Sequence, residues 1–298
     1  MGQQEALFPD FRTERIDAAG VAVHAVVGGN GPALLLLHGY PETHTIWHKV
    51  AQRLATRFTV VATDLRGYGD SGKPPTDSRH APYSKREMAK DQVAAMRALG
   101  FGRFLLAGHD RGGRVAHRLA VDHPDAVEKV AVLDISPTLA MYEQTDMAFA
   151  SAYWHWFFLI QKAPIPEAMI GADATFYLRR KMGDGVAGMK PFDARAWAEY
   201  ERCFTPEAIH ATCEDYRAAA TIDLEHDRAD REAGRKIGCP LLALWGAHGV
   251  VERCFKPLED WGRVAGDVRG RALPAGHYLP EEVPDLVVQE FESFFGAS

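Results

Sequence analysis

The sequence predicts an α/β protein with one mostly parallel sheet, helices on both of its faces and a helical insertion late in the chain. Three observations carry this. Short apolar runs with no polar face alternate with segments of helical spacing, the rhythm of β-α-β units whose strands are buried on both sides. That rhythm stops between residues 138 and 235, where the pattern is helical and rich in Trp, Tyr, Phe and Met, and then resumes. The 298 residues, 47% hydrophobic and 25% charged, can bury a large core. The expected organisation is a core made of residues 1–137 and 236–298, split by a helical cap of residues 138–235. No internal repeat or low-complexity segment interrupts it.

The elements follow in order. Val21 to Val27 alternates and runs into Gly28-Gly29-Asn30-Gly31, which reads as a hairpin-like turn. Ala33 to Leu37 is an apolar strand. Ile46, Trp47, Val50 and Leu54 share a helical face. Phe58 to Ala62 is a second buried strand, and Arg86 to Leu99 a helix that exits at Gly100 and Gly102. Phe104 to Ala107 is a strand, Gly112 to Val121 a helix stopped near His123-Pro124, and Val130 to Leu133 a strand. The cap is expected to hold helices over 141–159, 166–181, 194–203 and 206–220. Pro240 to Trp245 and Val268 to Leu273 are the last strands, followed by helices near 256–264 and 282–295.

Composition excludes several classes. There are 34 basic and 40 acidic residues, a net charge of −6, and no basic stripe of the kind nucleic acid requires. Cys203, Cys213, Cys239 and Cys254 form no CxxC pair and read as free thiols of a reducing compartment. The first residues lack the charged and apolar regions of a signal peptide, and no apolar run is long enough to span a bilayer. The expected location is the cytoplasm.

Gly108-His109-Asp110-Arg111-Gly112 stands between a strand and a helix. Its G-x-D-x-G form matches the G-x-S-x-G nucleophile elbow of α/β-hydrolases, in the same strand-turn-helix setting. The turn lifts its central side chain into the crevice beyond the strand ends, over a helix N-terminus that favours an anion. In isolation, a glycine-rich turn with a capping aspartate would be the simpler reading. An aspartate in place of serine changes the chemistry: a carboxylate is ionised at neutral pH and attacks carbon without a base to deprotonate it. That suits displacement at a saturated carbon or opening of an epoxide.

His277, in Ala275-Gly276-His277-Tyr278 after the last strand, is the expected base among thirteen histidines. Its orienting carboxylate is expected at Asp134, which ends the strand after the nucleophile's. The loop Gly246-Ala247-His248-Gly249 after a later strand has no carboxylate before Glu252. His38-Gly39-Tyr40-Pro41 follows the strand Ala33–Leu37, so the backbone N–H groups of Tyr40 and Arg111 are the expected oxyanion donors. Asp223, Glu225, His226 and Asp227 read as a polar surface turn rather than a metal cluster. His44 and His48, four apart, lack a third ligand.

The chain resembles the haloacetate (fluoroacetate) dehalogenase family. The likeness runs through HGYPETH (38–44), DLRGYG (64–69), GHDRGGR (108–114), LDI (133–135), YWHW (153–156), EDYRA (214–218) and Gly276-His277. HGYPE and DLRGYGDS are shared with epoxide hydrolases and haloalkane dehalogenases; HDRGGR, YWHW and EDYRA are more specific. The resemblance implies Asp110, His277 and Asp134 as the catalytic triad. It implies Arg111 and Arg114 as a clamp for the substrate carboxylate, since paired guanidinium groups grip such an anion with planar, charge-assisted bonds. It implies His155, Trp156 and Tyr216 as halide-binding donors. Arg118 is expected to be a solvated helix residue. No metal or organic cofactor is expected, and a homodimer is implied. The rival activity on the same triad is epoxide hydrolysis, with Tyr153 and Tyr216 as acids.

Overall fold

The computed structural model describes residues 7–18 and 20–296. Eight strands form one sheet: β1 (Arg12–Ala18), β2 (Val21–Gly28), β3 (Ala33–Leu37), β4 (Thr59–Thr63), β5 (Phe104–His109), β6 (Val127–Leu133), β7 (Leu241–Gly246) and β8 (Val268–Leu273). Their spatial order is β1-β2-β4-β3-β5-β6-β7-β8. β1 and β2 pair antiparallel, as do β2 and β4; every later pairing is parallel.

The apolar runs become strands because both faces of the sheet are covered. Leu35, Leu37, Leu106, Val130, Val132 and Ala243 point to one face. There they pack with Met88 and Val93 of α2 (Lys85–Ala98), Val115 and Leu119 of α3 (Arg111–Asp122), and Trp261 of α13 (Pro257–Val264). Their neighbours Leu34, Leu36, Leu105, Ala131, Leu133 and Leu244 point to the other face. That side holds Val50 and Leu54 of α1 (His48–Leu54) with Val287 and Phe291 of α15 (Pro284–Phe295). The period of two is therefore present, though both phases are apolar.

Two sequence expectations change at the edge. β1 carries Arg12, Glu14, Arg15 and Asp17, so only Ile16 and Ala18 are buried. An edge strand with a charged face lacks the apolar run by which the others are legible. Gly28-Gly29-Asn30-Gly31 is not a hairpin: it carries the chain from β2 past β4 to β3, with Gly29 and Gly31 at positive φ.

Eight helices fill the interval between β6 and β7: α4 (Thr138–Glu143), α5 (Met147–Ala152), α6 (Trp154–Leu159), α7 (Ile165–Ala172), α8 (Ala174–Gly183), α9 (Ala194–Cys203), α10 (Pro206–Ala219) and α11 (Ile222–Glu232). Expected long helices break where an aspartate caps a new start. Asp146 accepts from Phe149 N–H at 2.8 Å, and Asp173 from Phe176 N–H at 2.9 Å. The segment holding Asp223 to Asp227 is not a surface turn but the first half of α11. Arg118 is a second correction: it is buried and paired with Asp227 at 2.8 Å, Asp122 at 3.1 Å and Asp230. Two small helices, α12 (Val250–Cys254) and α14 (Leu279–Glu282), complete the set. No helix of the described residues is long and apolar enough to cross a membrane.

β4 and β5 flank β3, so the chain changes direction across the sheet there, and the loops after β3 and β5 open into one crevice. Asp110, Asp134 and His277 all lie just past the carboxyl ends of their strands, in or beside that crevice.

Candidate active site

β5 ends at His109 and α3 begins at Arg111, leaving Asp110 alone at the turn with φ +46° and ψ −112°. A positive φ at a non-glycine residue costs on the order of 1–3 kcal/mol and persists only where the surroundings enforce it. The β3 loop is wedged against this turn. A Cβ on Gly112 would lie 2.5 Å from the His38 carbonyl oxygen, and one on Gly39 would lie 2.6 Å from Asp110 Cβ. That contact sets Tyr40 N–H on Asp110 Oδ2 at 3.1 Å. Asp110 is buried, which would raise its carboxyl pKa; His277, His109, Arg111 and Arg114 outweigh burial and hold it below the usual carboxylate range. The side chain is thus an ionised, desolvated carboxylate at neutral pH, a competent nucleophile.

His277 Nδ1 lies 2.6 Å from Asp134 Oδ2, and Asp134 Oδ1 accepts from Gly246 N–H at 2.9 Å. With Nδ1–H donated to the carboxylate, Nε2 is left as the basic nitrogen. Glu252 accepts from the Trp245 indole instead. The carboxylate at His277 is therefore Asp134.

The two arginines of α3 differ. Arg111 is bound to Asp215: Nε donates to Oδ2 at 3.0 Å, and Nη2 to Oδ1 at 2.6 Å and to the Asp215 carbonyl at 2.9 Å. Its guanidinium also lies 4.0 Å over the Tyr216 ring. Lys85 reaches the same Asp215 carboxylate, and Tyr68 OH donates to it at 2.6 Å. Arg114 has no carboxylate hydrogen-bonded to its side chain among the described residues. Nη1 donates to Thr138 Oγ1 at 2.7 Å, Nη2 faces Met141 Sδ at 3.1 Å, and the guanidinium sits 4.4 Å over the Trp156 ring. Its Nε is buried without a partner among the described residues. Burial and Arg111 pull Arg114 down to about 10, so it stays cationic at neutral pH.

His155, Trp156 and Tyr216, grouped by the family resemblance, lie side by side. The Tyr216 ring centroid is 5.9 Å from His155 and 6.4 Å from Trp156. Trp156 Nε1 and Tyr216 OH are both buried without a hydrogen-bond partner among the described residues. An unmet buried donor is costly, of order 1–3 kcal/mol each, so two on neighbouring rings mark a place for an acceptor. Burial and the nearby Lys181, His277 and Arg111 charges push His155 well below its ordinary pKa, leaving it a neutral ring with one N–H.

Sequence reasoning passed over three groups. Asp215 was read only as part of the motif carrying Tyr216. His109 is the residue before Asp110: Nδ1 lies 3.0 Å from Glu42 Oε2 and Nε2 2.7 Å from the His277 carbonyl oxygen. Both partners are acceptors, so both ring nitrogens donate and the ring is an imidazolium. Burial lowers its pKa, but Glu42, Asp110 and the carbonyl raise it more, to about 9. Glu42 in turn accepts from Gly39 N–H at 2.9 Å. One cation thereby ties the β3 loop, the elbow and the His277 loop together. The only sequence signal was a histidine inside the elbow.

Three groups of potential metal ligands occur among the described residues: His24-His44-Asp64, Glu42-His109-His277 and Glu167-His210-Glu214. Each is built on a hydrogen-bonded imidazole–carboxylate pair, His44–Asp64 at 2.8 Å, His109–Glu42 at 3.0 Å and His210–Glu167 at 3.1 Å. Those pairs account for the clusters without an ion.

The fold and the crevice define an α/β hydrolase with a carboxylate at the elbow, and residues 32–252 match the α/β hydrolase fold family. A fluoroacetate dehalogenase from Burkholderia sp. is 47% identical over 292 residues, covering 96% of this chain and 95% of that one. A soluble epoxide hydrolase from Corynebacterium sp. strain C12 is 34% identical, covering 93% and 94%. The crystal structure of a candidate α/β hydrolase from Nostoc sp. PCC 7120 superposes with a TM-score of 0.95 at 52% identity, over 97% of this chain and 99% of that one. The chain belongs to the haloacetate dehalogenase family of the α/β-hydrolase fold.

Proposed function

We propose that the protein hydrolyses the carbon–halogen bond of small 2-halo acids such as fluoroacetate and chloroacetate, giving glycolate and halide. The observation that carries this is the buried Arg114 guanidinium, close to an ionised Asp110 and without a carboxylate of its own. A site that keeps a buried cation unpaired is built for an anionic ligand. The free carboxylate of a halo acid fills that need; a neutral epoxide does not.

In the reaction, Arg114 and Arg111 hold the substrate carboxylate. An Asp110 oxygen forms a bond to C2 as the carbon–halogen bond breaks, and halide leaves with the electron pair toward His155, Trp156 and Tyr216. Fluoride gives up strong hydration on leaving, and several N–H and O–H donors compensate for it. His277 then takes a proton from water, whose oxygen attacks the Asp110 carbonyl carbon. Tyr40 N–H, already on Oδ2, and Arg111 N–H stabilise the oxyanion. Collapse breaks the ester, the proton passes to the departing glycolate oxygen, and Asp110 keeps one oxygen from water. Residues 138–235 act as the cap that excludes solvent from the core formed by 1–137 and 236–298. The four free cysteines support a reducing compartment, the cytoplasm. The family resemblance carries the reading of a homodimer.

Steady-state halide release from fluoroacetate and chloroacetate, run beside diol formation from styrene oxide, tests the reading. The haloacids should turn over and Asp110→Ala should abolish it. A single turnover in H₂¹⁸O should leave the label in the Asp110 side chain. Turnover of the epoxide alone, or a label found only in glycolate, would overturn it.

A further inference from the structure

We propose that the cavity beside His277 is the entrance to the buried site and that Lys181, on its wall, is an outer cation that draws the anionic substrate inward. This rests on the haloacid reading above.

Asp110, Arg111, Arg114, Trp156 and Tyr216 are all buried, so substrate needs a path to them. A cavity of about 260 Å³ shares two walls with the site, His155 and His277, and is also lined by Tyr153, Lys181 and Arg253. A second pocket near the site, lined by Pro41, Glu42 and Tyr68, is only about 10 Å³ and too small to admit a halo acid. Two further cavities lie away from these residues, one bordered by His117, Glu143 and Arg263 and another by Arg66 and His226. The His277 side chain retains 15% exposure while its partner Asp134 has none, which places the open side of the base toward this cavity.

Lys181 stands in the last turn of α8, where a cation complements the helix end. Arg180 before it already does so from solvent, paired with Asp184 at 2.9 Å. Lys181 turns inward instead, its ammonium 5.9 Å from the Tyr153 ring centroid. The Tyr153 hydroxyl in turn lies 3.4 Å from His277 Nδ1. Among the described residues Lys181 has no hydrogen bond and no ion pair. Burial lowers its pKa, opposed by the more distant charges of Asp110, Glu42 and Asp184. A half-buried ammonium without a partner costs stability. At the mouth of a low-dielectric cleft it also focuses the field and raises the local concentration of an anion. Arg253, which also lines the cavity, adds to the same field, and the Asp184 carboxylate on that cavity is already matched by Arg180. The arrangement is a relay: an outer cation that attracts the halo acid and an inner, unpaired guanidinium that receives it.

The test compares wild type with Lys181→Met and Lys181→Arg, using chloroacetate across a range of ionic strength. Lys181→Met should lower kcat/KM roughly ten-fold, the low end of what electrostatic steering supplies. It should flatten the salt dependence of kcat/KM and leave kcat unchanged, and Lys181→Arg should restore both. An unaltered kcat/KM and salt slope in an active enzyme would overturn the inference while leaving the haloacid reading intact. So would an equal fall of kcat and kcat/KM with the slope retained, since that marks a structural or chemical role. A wild type that releases no halide from any halo acid removes both proposals together.

Discussion

The two ends of helix α3 each bury an arginine, one turn apart, and treat it in opposite ways. Near the C-terminal end, Arg118 is surrounded by Asp122, Asp227 and Asp230, which raise its pKa against burial. Near the N-terminal end, Arg114 meets a hydroxyl, a thioether and an indole face, and its pKa falls to about 10. Both are nearly inaccessible. Under the proposed function, the difference separates a cation kept for the fold from one kept for a ligand. The first has its counter-charge built into the chain; the second is left incomplete until substrate supplies it. Natural sites commonly retain such local costs to stability in return for function.

Exchanging the two arginines' fates breaks or sharpens that comparison. Arg118→Met should be the costlier change to the fold, about 3–5 kcal/mol by urea unfolding, because it strands buried carboxylates. Residual folded enzyme should keep its kcat. Arg114→Leu should show the reverse pattern. Haloacid kcat/KM should fall about 10²–10³-fold, equivalent to about 3–4 kcal/mol, while unfolding stability stays level or rises by about 1 kcal/mol. Equal loss of stability in both variants would erase the distinction between them. A near-normal kcat/KM for Arg114→Leu would show that Arg111 alone holds the carboxylate.

The sequence made the core legible where both phases of a strand are apolar, as in Leu34 to Leu37 and Val130 to Leu133, since burial on two faces leaves no other composition. β1 escaped notice because Arg12, Glu14 and Asp17 give an edge strand the composition of a loop. Helix α11 escaped for a related reason: Asp223, Asp227 and Asp230 look like solvent-facing acids, yet they serve Lys85 and Arg118 on other elements. Charge pairing across the fold has no local spacing to read. In the site, residues fixed by strand ends, namely Asp110, Asp134 and His277, were anticipated because the topology dictates where those ends meet. The partners of these residues were not. Nothing in the chain's periodicity joins Arg111 to Asp215 or His109 to Glu42, 104 and 67 residues apart.

His109 lies between the two cases: it is a buried cation with its own carboxylate, yet its second bond holds the backbone of His277. Its pKa in the folded protein is raised to about 9, above the 6.5 of a free imidazole. The stability it contributes is therefore complete below about pH 6.5 and lost as pH rises through about 9. Wild type should lose about 1–3 kcal/mol of unfolding free energy across that window. His109→Gln, which keeps a donor but no titrating charge, should flatten the change in proportion. The same variant should accumulate the Asp110 ester in single-turnover mass spectrometry, because a loosened His277 loop slows the water step more than the displacement. Halide burst amplitude should be preserved while kcat falls. If the variant instead shows wild-type pH dependence and no trapped ester, His109 is neutral in the folded chain and the tie between elbow and base is only a packing contact.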